Sequence, residues 1–313
     1  MAAVFRHFAT QEDLEKAYDV EASVPDFAAY ARQFVESSSR TRDRQPCELG
    51  VRYGPTRDEY ADIFPAARRG SPILIFIHGG FWRSLSAREF SFCATGAQRA
   101  GVTAVIANYS IAPGARIGEM VRQMRALVAW CYANAKSING DADAIYVCGH
   151  SAGGHLTATT LLTDWLAHYD LPENTVKGGV AISGLFDLAP VKLLSFVQGD
   201  LRLTDEEILT HSPARSIRRV RPQLLVTYGS EEPSEFLRQS DEFLQDWRRV
   251  GNRGAFLPQP GRNHFTAITD LAEPNSALCR AVLAMMGHTP RPHDPSRPGA
   301  VPSVEDLMRG VSV

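Results

Sequence analysis

The hydrophobic pattern changes character near residue 71. Before that point, apolar positions recur at helical spacing or alternate over short stretches. After it, continuous apolar runs trade places with helical periods. The run at 73–77, ILIFI, has no polar interruption and predicts a strand buried on both faces. A helix is expected over 87–100, a strand over 103–108 and a long helix over 118–135. Further strands are expected at 144–148, 178–183, 223–228 and 255–257, and helices after Ser151 and over 234–250 and 276–286. This βαβα rhythm predicts an α/β fold, a doubly wound, mostly parallel sheet of about eight strands with helices on both faces.

Around this core, residues 9–40 carry helical spacing at Leu14, Tyr18, Phe27, Tyr30 and Phe34, broken at Pro25, and predict two short helices. Short alternating runs at 47–53 and 59–64, joined by Gly54-Pro55-Thr56, predict a hairpin at a sheet edge. Residues 184–220 hold mixed patterns without a strand and are read as a short lid insertion on the ligand-binding edge. The domain organisation is then an N-terminal helical segment at 1–45, the α/β domain at 46–287, and a Pro-rich tail at 288–313.

Composition narrows the function classes. The 313 residues are 44% hydrophobic, enough for one large core. Lys plus Arg number 33 against 35 Asp plus Glu, so the near balance gives no reason to expect nucleic acid or a membrane surface as partner. A homodimer is left open. No continuous apolar stretch opens the chain, and a cytoplasmic location is the expectation. Cys47, Cys93, Cys131, Cys148 and Cys279 are odd in number and never spaced as C-x-x-C, which signals neither a disulfide framework nor a zinc site.

The chemistry centres on 144–160, AIYVCGHSAGGHLTATT, where an apolar run breaks into a Gly-rich turn and a helical pattern follows. Gly149-His150-Ser151-Ala152-Gly153 is a G-x-S-x-G sequence in the strand-to-helix context of a nucleophile elbow. The competing reading is a plain Gly-rich βα turn. A serine hydroxyl is a weak nucleophile until an imidazole accepts its proton. In the chain order Ser, acid, His, that base is expected after the last strands, which selects His264 among nine histidines, there opening a helix. His150 is expected to point away from the site, and His155, inside the following helix, to be structural. His211, His288 and His293 fall in the insertion or the tail.

The acid must orient that imidazole, and Glu231 and Glu232 follow the strand at 223–228, while Asp187 follows the preceding strand. All three remain open on chain order. For an oxyanion, one N–H comes from Ala152 and the other from the loop His78-Gly79-Gly80-Phe81-Trp82 after the strand at 73–77, at Gly79 or Gly80. Phe81 and Trp82 are read either as core or as the aromatic wall of a substrate pocket.

These motifs resemble the kynurenine formamidase (arylformamidase) branch of the α/β hydrolases. The resemblance covers roughly residues 18–286 and is carried by the runs at 78–82, 149–155 and 263–265, by Glu235-Phe236-Leu237-Arg238-Gln239-Ser240, and by landmarks at 23–27, 53–55, 62–65 and 183–188. It implies Ser151 as nucleophile, His264 as base and, three residues before Glu235, Glu232 as acid, where the family often has Asp. It further implies hydrolysis of an N-formyl aryl amide such as N-formylkynurenine through an acyl-enzyme, with no metal or organic cofactor. A carboxylesterase or aryl-amide hydrolase of different acyl preference is the nearest alternative. A non-catalytic binding protein on the same scaffold is the alternative from another class.

Overall fold

The computed structural model describes residues 3–288. The Pro-rich segment from 289 onward, with His293, lies outside the described residues.

Two helices come first, α1 (Gln11–Lys16) and α2 (Phe27–Arg44). Thr10 and Asp26 cap them by accepting from the amides of Asp13 and Ala29, and Pro25 falls between the two, where its missing N–H breaks no helical bond. Strands β1 (Glu48–Arg52) and β2 (Tyr60–Phe64) form the expected antiparallel hairpin. The core follows as β3 (Ser71–Ile77), α3 (Ala94–Arg99), β4 (Thr103–Ala107), α4 (Ile117–Asn134), β5 (Gly140–His150), α5 (Ala152–Leu161) and α6 (Trp165–Tyr169). It continues with β6 (Val176–Ile182), α7 (Ser195–Leu201), α8 (Asp205–His211), β7 (Gln223–Gly229), α9 (Ser234–Arg249), β8 (Gly254–Gln259) and α10 (Ala277–Met285).

The strands make one eight-stranded sheet in the order β1-β2-β4-β3-β5-β6-β7-β8. Pairing is antiparallel at β1/β2 and β2/β4 and parallel from β4 to β8. The apolar runs form strands because helices cover both faces. Every residue of β4 is buried, and so are all of β3 and β6 apart from Pro72 and Lys177. Each Ile, Leu or Val taken fully from water there contributes about 1.5–3 kcal/mol, before conformational entropy is set against it.

Register levels the strand ends. Ile77 lies opposite Gly149, His150 opposite Ile182, and Ile182 opposite Thr227. The turns after β3, β5, β6 and β7 therefore emerge side by side at one edge, where open α/β sheets bind ligands.

The structure departs from the sequence pattern in places. The segment at 87–100 is split into a 3₁₀ helix, Ala87–Cys93, closed at its start by a Ser86/Glu89 capping box, and then α3. β5 begins at Gly140, four residues early, because its polar start still pairs with β3 at Ser71. α6 has only five residues, too few for periodicity to show. The insertion at 184–220 contains α7, α8 and two short 3₁₀ turns, and no strand. Among the described residues no helix is long and apolar enough to cross a membrane.

Candidate active site

Ser151 sits between β5 and α5 at φ 58° and ψ −119°. A serine pays for this left-handed conformation in strain, and holds it only because both flanking elements are fixed. The two motif glycines make the turn possible. A Cβ on Gly149 would lie 2.1 Å from the Gly153 carbonyl oxygen, and one on Gly153 would lie 2.0 Å from the Ile77 carbonyl oxygen. The Ser151 amide donates to the Ile182 carbonyl at 2.8 Å, which ties the turn to β6. Ala152, the first residue of α5, carries one of the amides that a helix start leaves without an intrahelical acceptor.

The loop after β7 brings Glu232 to His264. His264 Nδ1 donates to Glu232 Oε2 at 2.6 Å, and both side chains are almost fully buried. The other carboxylate oxygen, Oε1, accepts from the Gly229 amide and from Ser183 Oγ, each at 2.6 Å. Three donors thus converge on one buried carboxylate and fix its orientation toward the imidazole. Among the described residues neither other carboxylate reaches the imidazole. Glu231 is exposed, and Asp187 Oδ1 is occupied by the Arg215 guanidinium at 3.1 Å.

Ser183 was not singled out by sequence. It occupies the turn after β6 at φ 52°, and only the spatial neighbourhood of that turn to β7 gives it meaning. His264 precedes a 3₁₀ turn, Thr266–Ala272, instead of opening an α-helix.

His150 does not point away from the site. Its Nε2–H donates to the His264 carbonyl at 2.9 Å, and the two rings lie 4.4 Å apart. The register of β5 explains this, since His150 is its last residue and the 263–265 loop passes directly over it. Burial, with the His264 ring beside it, holds the His150 imidazole well below the usual histidine range. Among the described residues Ser151 Oγ makes no hydrogen bond to the His264 ring; such contacts commonly tighten only with substrate bound.

On the opposite flank, the loop after β3 runs along Ser151. A Cβ on Gly79 would lie 3.0 Å from Ser151 Cβ and 2.9 Å from the His150 carbonyl oxygen. Gly80, Phe81 and Trp82 then take φ values of 105°, 48° and 55° in succession. Only glycine holds such a φ without penalty, so Phe81 and Trp82 carry about 1–2 kcal/mol of strain each. The Gly80 carbonyl closes the turn by accepting from the amides of Arg83 and Ser84, both at 3.0 Å. His78 is core: its Nδ1–H donates to the Gly79 carbonyl at 2.8 Å, and its ring stacks on Tyr109 at 4.3 Å.

The two aromatic residues of this loop part company. Phe81 is half-buried, edge-on to Phe196 of α7 at 5.6 Å and facing Phe236, whose ring lies 4.5 Å from His264. Trp82 has no accessible surface, and its indole N–H is taken by His155, which places it in the core and not on a pocket wall.

Against known proteins, the profile of the α/β-hydrolase fold matches residues 74–234. A kynurenine formamidase of Danio rerio is 31% identical over 83% of this chain and 88% of its own length. The chain belongs to the kynurenine formamidase-like α/β hydrolases. The esterase LipC of Mycobacterium tuberculosis is 28% identical over 70% of the chain and 60% of its own length. A solved putative thioesterase from a Silicibacter species superposes with a TM-score of 0.77 at 27% identity, covering 87% of this chain and 98% of that one.

Within this hydrolase scaffold, the segment at 235–240 is a buried clamp. Tyr18 Oη donates to Glu235 Oε2 at 2.7 Å, Gln239 Nε2 donates to Tyr18 Oη at 2.8 Å, and Gln239 Oε1 accepts from the amides of Phe186 and Asp187. It joins the N-terminal helices to α9 and the turn after β6. Among the described residues no group of His, Cys, Asp or Glu is placed to hold a metal ion. A shallow groove of about 750 Å³, lined in part by Lys177, Arg219, Arg221 and Arg253, contains none of the expected site residues.

Proposed function

We propose that this protein is a serine hydrolase that cleaves an N-formyl aryl amide, such as N-formylkynurenine, through an acyl-enzyme. The observation that carries the reading is the buried Glu232–His264 pair held beside the strained Ser151 turn. In this scheme His264 Nε2 takes the Ser151 hydroxyl proton as Oγ attacks the formyl carbon. Glu232 holds the imidazole with its proton on Nδ1 and stabilises the imidazolium that forms. The amides of Ala152 and of Gly79 or Gly80 receive the oxyanion, which removing one donor would weaken by roughly 10²–10³ in kcat. His264 then protonates the departing aryl amine, and water, deprotonated by the same imidazole, releases formate. Phe81, half-buried in the loop after β3 and backed by the buried Phe236, offers an aromatic edge to the aryl ring.

Hydrolysis of a neutral aryl ester is the second reading, favoured by the 28% identity to the esterase LipC. Side-by-side assays of N-formylkynurenine, a longer N-acyl anilide and short p-nitrophenyl esters separate the two. Formate release from N-formylkynurenine at a higher kcat/KM than the longer anilide is expected. Turnover of the esters with every anilide untouched overturns the amidase reading.

A further inference from the structure

Three consecutive residues of the loop after β3 are tied to the insertion at 184–220. Phe81 meets Phe196 edge-on at 5.6 Å, and Arg83 Nη1 pairs with Asp200 Oδ2 at 3.0 Å. Trp82, between them, reaches the insertion through another residue. Its indole Nε1–H donates to His155 Nδ1 at 3.3 Å, and the opposite nitrogen, Nε2–H, donates to the His211 carbonyl at 2.7 Å.

Both ring nitrogens of His155 are therefore used, one accepting and one donating, and this fixes the tautomer. Burial pushes the imidazole down to about 4, so the accepting lone pair survives at neutral pH. The far anchor is itself fixed. His211 ends α8, and α8 is pinned by Glu207, which accepts from Arg116 Nε at 2.9 Å, while Arg116 Nη2 donates to the Arg202 carbonyl at 2.6 Å. The near anchor needs holding. Phe81 and Trp82 both sit at positive φ, a conformation that persists only where surrounding contacts over-determine it.

We infer that His155 is a positioning residue, which hangs Trp82 from the base of the insertion and so holds the Gly79 and Gly80 amides against Ser151. The inference rests on the acyl-transfer reading above. It assigns the insertion a part in setting oxyanion geometry, through a histidine that touches no reacting atom.

The test compares wild type with His155→Leu, His155→Gln, Trp82→Phe and the Trp82→Phe/His155→Leu double variant. Each is assayed for kcat and KM on p-nitrophenyl acetate and an N-formyl anilide, and for thermal midpoint. His155→Leu is expected to lose roughly tenfold to a hundredfold in kcat with KM little changed, the size of effect that a small misplacement of catalytic groups produces. His155→Gln, whose amide offers both an acceptor and a donor, is expected to regain much of that loss. Trp82→Phe removes the same hydrogen bond, so the double variant should lose no more than the worse single one.

A folded His155→Leu with wild-type kcat and only a lower thermal midpoint overturns the inference, as do additive losses in the double variant. If His155→Leu fails to fold, unchanged kcat in Trp82→Phe overturns it instead. A wild type inactive on both substrates overturns the acyl-transfer reading and this inference together, whereas an active wild type with unaffected variants overturns the inference alone.

Discussion

The two flanks of Ser151 are built from different materials. On the β7 side, the candidate site is made of side-chain identity: one carboxylate, Glu232, with three donors, and one imidazole against it. On the β3 side it resides in backbone conformation: three successive positive φ values at Gly80, Phe81 and Trp82, held by aromatic and histidine contacts from elsewhere. A side-chain flank fails when one group is replaced. A backbone flank fails when its supports or its free space are lost.

The largest effect should come from the side-chain flank. Glu232→Gln keeps the shape and removes the charge, and it is expected to lower kcat by about 10⁴, the loss seen when a triad carboxylate is neutralised. Glu231→Gln, exposed, and Asp187→Asn, paired with Arg215, should change kcat little. Equal mild losses across the three, measured on one substrate, would break the distinction.

Next comes the backbone flank. Gly153→Ala adds a Cβ 2.0 Å from the Ile77 carbonyl oxygen, so β3 and the turn after it must move relative to α5. A loss of roughly 10² in kcat or more is expected, with a lowered thermal midpoint. Wild-type kcat in a folded Gly153→Ala protein would show that the loop tolerates displacement.

The third effect falls on stability and not on turnover at neutral pH, and both flanks share it. Burial holds His78 and His155 down to about 4, and His150 also lies well below its ordinary 6.5. As pH falls below 6.5 the unfolded chain takes up protons that the folded chain refuses, so stability falls with pH. Each ring removes roughly 1.4 kcal/mol per pH unit between pH 6.5 and its folded value. Urea midpoints at pH 7 and pH 5 check this, and an unchanged midpoint would contradict it.

The same contrast explains what could be read from sequence. β3, β4, β6 and β7 were legible because parallel strands buried on both faces leave uninterrupted apolar runs. Ser151, Glu232 and His264 were legible as chemistry-bearing residue types in a required order. Ser183 was not, because its role depends on β6 and β7 being neighbours. The ties of Trp82 to His155 and of His150 to His264 were equally hidden, since both depend on how the strand ends are levelled. Trp82 read equally as core or as a pocket wall from its place in the loop, because its positive φ, which turns the indole inward, has no sequence signature.

The central claim is that Ser151 forms a covalent acyl-enzyme with help from His264. Incubation with a fluorophosphonate, followed by intact-mass and peptide mass spectrometry of wild type, Ser151→Ala and His264→Ala, tests it most directly. One adduct on the Ser151 peptide of wild type, none in Ser151→Ala and strongly slowed labelling in His264→Ala is the predicted result. No adduct on wild type, or one undiminished in Ser151→Ala, would contradict it.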